Sequence, residues 1–365
     1  MARDSFYFGV EIELIAEPHL VRHPLVRKFY YEKLAASLRH HGLNAVADSL
    51  TGKYRKHSEH YDKWFLTKDG SLGSPAHPAI PIEAVSPILS TSNYWETEID
   101  TFWTSWGRVF KLPRRSAKCG SHIHVSPGPN KQFTMTELKK IACGIVFYAN
   151  NLDDMLPVPR RNNAYCQKNW EASHSSVGIW YKSGTDSDVR QTMERIWKIK
   201  DEGDMKEFMQ DDRRVMWNFE HVVPGNKCTG TIEFRGGRGL RGPNRTKWWI
   251  AFVVSFIQLC ISSKQFPNKD ASDRPGTDYF WQKIKKNART IQVEDDLPSD
   301  WRYLNESYSS RQWEDTEDSD EDDSDISSIV SKDASEYSDS DYSTGDERQW
   351  VEDMEEERRE NCVIL

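Results

Sequence analysis

Gly9-Val10-Glu11-Ile12-Glu13-Leu14 alternates hydrocarbon with carboxylate close to the N-terminus. Side chains on a strand point alternately to opposite faces, so Glu11 and Glu13 share one face while Val10, Ile12 and Leu14 take the other. The same design returns twice. Cys119-Gly120-Ser121-His122-Ile123-His124-Val125-Ser126 sets His122 and His124 on either side of Ile123, and Gly230-Thr231-Ile232-Glu233-Phe234-Arg235 sets Glu233 and Arg235 around Phe234. A fourth stretch, Ile80-Pro81-Ile82-Glu83-Ala84-Val85-Ser86-Pro87, places one Glu among apolar residues. Any one pair alone reads as the wet face of a half-buried antiparallel strand. Three pairs filled only by Glu, His and Arg, where Thr, Lys and Ser ordinarily share a solvated face, predict one sheet with a functional face opposed to a hydrocarbon face.

Helical periodicity falls between these strands. The spacing predicts helices over 24–41, with Pro24 in the first turn and Gly42 as the stop, and over 93–110, with Trp95, Ile99, Phe102, Trp103, Trp106 and Phe110 on one side. Further helices are expected at 135–152, where Thr134 and Glu137 have capping-box spacing, at 188–210, and around the apolar run 248–261. Strands are expected at 63–68 and 213–219, and a turn at Pro224, Gly225 and Asn226. Residues 157–185 read as a polar, irregular loop or small insertion, the place to look for substrate selection at Arg160 and Arg161. Helices between strands without regular βαβ spacing predict an α+β fold with a mostly antiparallel sheet.

The chain of 365 residues carries a formal charge of −8, but residues 311–365 hold 21 Asp and Glu against 5 Lys and Arg, leaving +8 on residues 1–310. The Ser-rich acidic tail cannot bury enough apolar surface to offset its ordering entropy and is expected to be disordered. The predicted organisation is a catalytic domain over 1–290, a linker over 291–310 and the tail over 311–365. The mildly basic body suits a polyanionic ligand such as a nucleotide, whereas scattered Lys and Arg with no zinc-finger spacing argue against nucleic acid. Six cysteines without a regular framework, and a first strand that begins almost at once, predict a reducing, cytoplasmic location. The apolar run 248–261 is too short to span a bilayer.

Several Glu and two His on one face offer mainly hard oxygen ligands, which suit magnesium or manganese better than zinc. Magnesium fills its remaining positions with water and nucleotide phosphates, and a nearby guanidinium stands where phosphate charge develops. ATP-dependent chemistry is therefore the leading class. A zinc reading would rest on Cys119, His122 and His124, but no fourth ligand has fitting spacing. Cys119 as a nucleophile with His122 as base is the weaker alternative to a small buried residue at a strand start. Gly237-Arg238-Gly239-Leu240-Arg241-Gly242 matches G-x-G-x-x-G, yet no βαβ unit follows, and a turn whose Arg238 and Arg241 meet an anion is the better reading.

In order and content, Phe8 to Glu13, Asp69-Gly70-Ser71, Glu83 to Pro87, Cys119 to Ser126, Asn218 and Thr231 to Arg235 resemble the amidoligase family, over roughly residues 6–262. That family is related to glutamine synthetase and the glutamate–cysteine ligases. The resemblance implies a glutamine synthetase-like curved sheet with helices on its apolar face and ATP with two or more magnesium (or manganese) ions on its concave face. It also implies an acyl phosphate that an amine attacks to form an amide or isopeptide bond. Carried over by motif, Glu11, Glu13, Glu83, His122 and Glu233 would be metal ligands. His124 would lie by the nucleotide or substrate, and Arg235 would meet the transferring phosphate or a substrate carboxylate. Arg213 and Asn218 would contact the nucleotide. Ser86-Pro87-Ile88 departs from the relatives' two prolines, which affects the loop rather than the chemistry. The substrates implied are small-molecule or peptide carboxylates and amines.

Two other classes compete. One is an inactive ligase-like scaffold displaying the acidic tail, against which the intact set of ionisable residues argues; the other is a phosphotransferase of the guanidino kinase kind. The terminal Cys362-Val363-Ile364-Leu365 has the C-a-a-X form, for which a prenyl group on Cys362 would give reversible membrane attachment.

Overall fold

A computed structural model describes residues 4–22, 25–48, 61–129, 131–171, 175–225, 228–264, 266 and 274–305. Pro24, Asn226 and the tail with Cys362 lie outside the described residues. The opening stretch lies in β1 (Tyr7–Ala16), which pairs antiparallel with β4 (Ile80–Val85) on one side and β6 (Gly120–Ser126) on the other. The two-residue β5 (Leu89–Ser90) meets the start of β1. Beyond β4 come β3 (Trp64–Thr67) and β2 (Ala45–Ala47), the latter parallel to its neighbour; beyond β6 come β8 (Ile232–Arg238) and β7 (Trp217–Asn218). The order is β2-β3-β4-β1-β6-β8-β7. The fold is α+β with a mostly antiparallel sheet, as the alternation predicts.

Hydrocarbon sets the register. Val10, Ile12, Leu14, Ile82, Ala84, Ile123, Val125, Ile232 and Phe234 are all buried in one core cluster. A one-residue slip of β1 would send three of them into the cleft and bury two carboxylates in their place. Each large apolar side chain lost from the core forfeits about 1.5–3 kcal/mol, so the correct face wins decisively.

Two aromatic helices cover that face. From α2 (Trp95–Val109), Trp95 packs edge-on to Phe8 at 5.4 Å and Phe102 stacks on Trp64 at 4.2 Å. From α9 (Pro243–Ser262), Trp249 stacks on Phe234 at 5.6 Å and Phe256 lies 4.9 Å from Trp217. The two helices are tied together by Trp103 Nε1, which donates to Thr246 Oγ1 at 2.9 Å. α1 (Arg27–His40) packs against α2, and Gly42, at φ +86, turns the chain out of it. No described helix is long and apolar enough to cross a membrane.

Four expectations change. The helix expected at 135–152 is two, α3 (Met135–Phe147) and α4 (Ala149–Met155), because Tyr148 leaves helical geometry; the Thr134–Glu137 capping box at its start is formed. The stretch 157–185 contains α5 (Val158–Arg161) and α6 (Ser176–Tyr181). The helix expected at 188–210 divides into α7 (Asp186–Lys198) and α8 (Glu202–Met209): Ile199 is extended, and Asp201 accepts from Asp204 N to cap a new start. The strand expected at 213–219 shrinks to Trp217 and Asn218: before it, Arg214 O and Met216 N bond to Gln167 instead of continuing the ladder, and buried Asn169 takes Trp217 N and O on its side chain, at 2.9 and 2.8 Å, at the sheet edge.

The packed body also runs past residue 290. After α10 (Thr277–Thr290), Ile291, Val293, Leu297 and Leu304 are buried in the main core, and α11 (Arg302–Asn305) closes the described chain. Residues 291–305 are thus part of the domain rather than linker.

Candidate active site

Strand register turns separate sequence pairs into one polar row. Glu83 is directly opposite Glu13, Glu11 opposite His122, and Glu233 opposite both His124 and Asn218. A bulge between β6 and β8 lets Arg235 and Gly236 face His122. The extra residue swings the Arg235 side chain across the row. All seven ionisable residues singled out by spacing, Glu11, Glu13, Glu83, His122, His124, Glu233 and Arg235, line one cleft of about 1160 Å³. Asp69, Gly70, Ser71 and Ser86 line it too, so the turn motif and the β4 strand end belong to the same site.

The contacts are close and the burial is deep. His122 Nδ1 lies 2.9 Å from Glu11 Oε2 and 3.6 Å from Glu233 Oε1, and its Nε2 lies 3.6 Å from Glu13 Oε1. Glu13, Glu83 and Glu233 are each at most 6% exposed. Carboxylates directly opposite across a strand pair repel, and Glu13 and Glu83 do so while shielded from water. Positive charge reaches the row from the protein itself: Arg235 Nη1 donates to Glu233 Oε1. Burial pushes the Glu233 carboxyl up, but His124, Arg235 and His122 outweigh it and hold it well below the usual range. Burial lowers His124, and Glu233 and Glu11 more than reverse this, so its imidazole is raised.

Among the described residues, two groups of three metal-ligating side chains have ligand atoms within 4.8 Å of one another. One is Glu11, His122 and Glu233; the other is His124, His221 and Glu233. Glu13 and Glu83 belong to neither trio but stand next along the row. A donor set of carboxylates with one imidazole fits divalent cations of the magnesium and manganese kind, and Glu233 belongs to both trios.

Support comes from groups that spacing did not mark. Asn218, expected as a ligand contact, spends its amide on Glu233 Oε2 at 2.6 Å, and its own oxygen accepts from Gln210 Nε2 at 2.7 Å. Gly120 N donates to Glu13 Oε2 at 2.9 Å. A Cβ at Gly120 would lie 3.0 Å from that oxygen and 3.2 Å from Arg160 Nη2, so any larger residue would press both groups outward by a few tenths of an ångström. Arg160, on α5, is 3% exposed and donates to Arg235 O at 2.6 Å. It brings the irregular stretch to the cleft floor. Arg213 stands exposed on the rim. His221 went unmarked because it sits in a three-residue turn of 3-10 helix, Glu220–Val222, where no periodicity singles it out.

The two competing motifs do not serve this site. Burial, with the nearby charge of Glu13, pushes the Cys119 thiol up to about 12, far from a reactive thiolate. Gly237 is in β8 and Gly242 immediately precedes α9, in an antiparallel sheet without the βαβ turn that cradles a dinucleotide.

A mostly antiparallel sheet thus presents carboxylates, imidazoles and a guanidinium to one cleft. A family model described as "putative amidoligase enzyme" matches residues 4–257, and the chain belongs to that family. The match takes in every residue of the polar row. A comparison with curated proteins finds no match.

Proposed function

We propose that the chain is an ATP- and magnesium-dependent carboxylate–amine ligase of glutamine synthetase-like architecture, forming an amide or isopeptide bond through an acyl phosphate. The observation that carries this reading is the row Glu83, Glu13, Glu11 and Glu233, four carboxylates meeting in one cleft with His122, His124 and Arg235. Family membership supports ligation, and the donor set supports the metal. The cleft, at about 1160 Å³, exceeds the ~300–1,000 Å³ of common small-molecule pockets and leaves room for a nucleotide beside a second substrate.

Magnesium or manganese, when bound, would supply the positive charge that holds ATP phosphates and offsets charge on the transferring group. Glu11, Glu13, Glu83, His122 and Glu233 would hold it. A substrate carboxylate oxygen bonds to the γ-phosphorus as the bridging bond to ADP breaks. The amine nitrogen then bonds to the acyl carbon, phosphate leaves with the former carboxylate oxygen, and the amine gives up a proton. Arg235 would neutralise the transferring phosphoryl group or bind the substrate carboxylate, with His124 beside it. Arg213 would meet the nucleotide at the rim, and Asn218 would act by holding Glu233.

The test follows one oxygen. Carboxylates labelled with ¹⁸O, offered as amino acids or small peptides with paired amines, ATP and magnesium, are expected to pass one label into the released phosphate for each amide formed. ADP formation without amide across the substrate panel would instead mark a phosphotransferase and sink the ligase reading.

A further inference from the structure

We infer that His124, His221 and Glu233 form a second metal site, chemically distinct from the oxygen-rich row and selective for a borderline transition-metal ion of the zinc class. Two imidazoles and one carboxylate are a frequent protein contribution to such ions, with a position left open for water or substrate. Magnesium, which takes oxygen ligands and keeps its waters, has little use for two imidazoles.

His221 Nε2 lies 3.9 Å from Glu233 Oε2, and His124 Nε2 lies 3.9 Å from Glu233 Oε1. Bonds of about 2.0–2.2 Å to one ion bring ligand atoms to within roughly 4 Å of one another. Each imidazole meets this against one carboxylate oxygen, and one ligand atom from each of the three residues lies within 4.8 Å of the others. The two imidazole rings approach edge to face with centroids 5.5 Å apart. His124 Nε2 is buried, 3.5 Å from Glu11 Oε1 and 3.9 Å from Glu233 Oε1, and so faces the carboxylates of both trios while its ring is anchored from the other nitrogen. The anchor is Thr231 Oγ1, 3.4 Å from His124 Nδ1 and itself 2.8 Å from Thr229 Oγ1. A hydrogen-bond partner on one ring nitrogen, with the other nitrogen directed at carboxylates, is the arrangement metal-binding histidines adopt.

His221 is held with equal care. Its carbonyl accepts from Thr229 N at 3.2 Å and from Gly230 N at 3.0 Å, which locks the short turn over the β8 strand start. Glu233 belongs to both trios, so it would join this ion to one held by Glu11 and His122. The inference rests on these donors alone and survives if the ligase reading fails.

Cobalt(II), titrated into the full-length protein in excess magnesium, is the probe. One equivalent is expected to bind despite the magnesium and to give a visible d–d band. His221→Asn is expected to lose that band and to bind cobalt more than about tenfold more weakly, with its circular dichroism unchanged. X-ray absorption of the zinc-loaded wild type needs no variant and is expected to show two imidazoles on the metal. Magnesium fully displacing cobalt, wild-type affinity in His221→Asn, or a single imidazole on zinc would each overturn the site.

Discussion

Glu233 is the residue on which the site turns, and Asn218 is what holds it. The Asn218 amide donates at 2.6 Å to one carboxylate oxygen while Arg235 takes the other. Asn218→Ala would leave Glu233 Oε2 buried without this donor. Stripping a buried charged group of a hydrogen bond costs about 1.5–3 kcal/mol. The expected outcome is a loss of that size in urea unfolding together with weaker manganese binding, whereas Asn218→Asp would add a negative charge beside Glu233 and cost more. An unchanged unfolding midpoint in Asn218→Ala would show that the bond contributes nothing. Spacing alone exposed the ionisable pairs, because an i, i+2 period on strands is a local property. It did not expose Asn218's task, the anchoring by Thr231 or the place of His221, because those depend on which strand lies beside which.

At the scale of elements, strands were legible and the ends of helices less so. Hydrophobic alternation located β1, β4, β6 and β8, whereas the breaks at Tyr148 and Ile199 fall inside stretches of unbroken helical periodicity. The second break did carry a signal, since Asp201 with Glu202 and Asp204 after it is a capping residue with an acidic first turn. The segment after α10 was the largest misreading. Its Asp and Glu residues resemble the tail, but Ile291, Val293, Leu297 and Leu304 alternate with them and turn inward. Asp296 sits in that segment, and burial, with the charge of Glu96, raises its carboxyl from the usual range to about 6. A folded-state value above the unfolded one means its contribution favours the fold below about pH 4 and is lost as pH rises through 6. Asp296→Asn is therefore expected to be the more stable chain at pH 7, by about 1 kcal/mol once solvent screening is allowed for, with the advantage vanishing near pH 4. Parallel stability profiles for the two chains across that range would contradict the packing described for this segment.

At the scale of the whole molecule, one sheet separates two chemistries. Helices α2 and α9 seal its hydrocarbon face, and the charged face opens to the cleft. The family match ends at residue 257, inside α9, yet α10 and the residues to Asn305 complete the core behind that helix. Five short stretches and Asn218, taken in order, were enough to anticipate the family, and the strands among them lie side by side in the sheet. Strand order itself was not legible, since pairing β1 between β4 and β6 joins residues more than sixty positions apart. In the function proposed, the polar row holds ATP through metal ions. Calorimetric titration of ATP into the full-length protein, with and without magnesium, tests it most directly when repeated on Glu13→Gln and Glu233→Gln. The account predicts binding that requires magnesium and weakens at least about tenfold in each variant, or about 1.4 kcal/mol; magnesium-independent binding, or wild-type affinity in both variants, would contradict it.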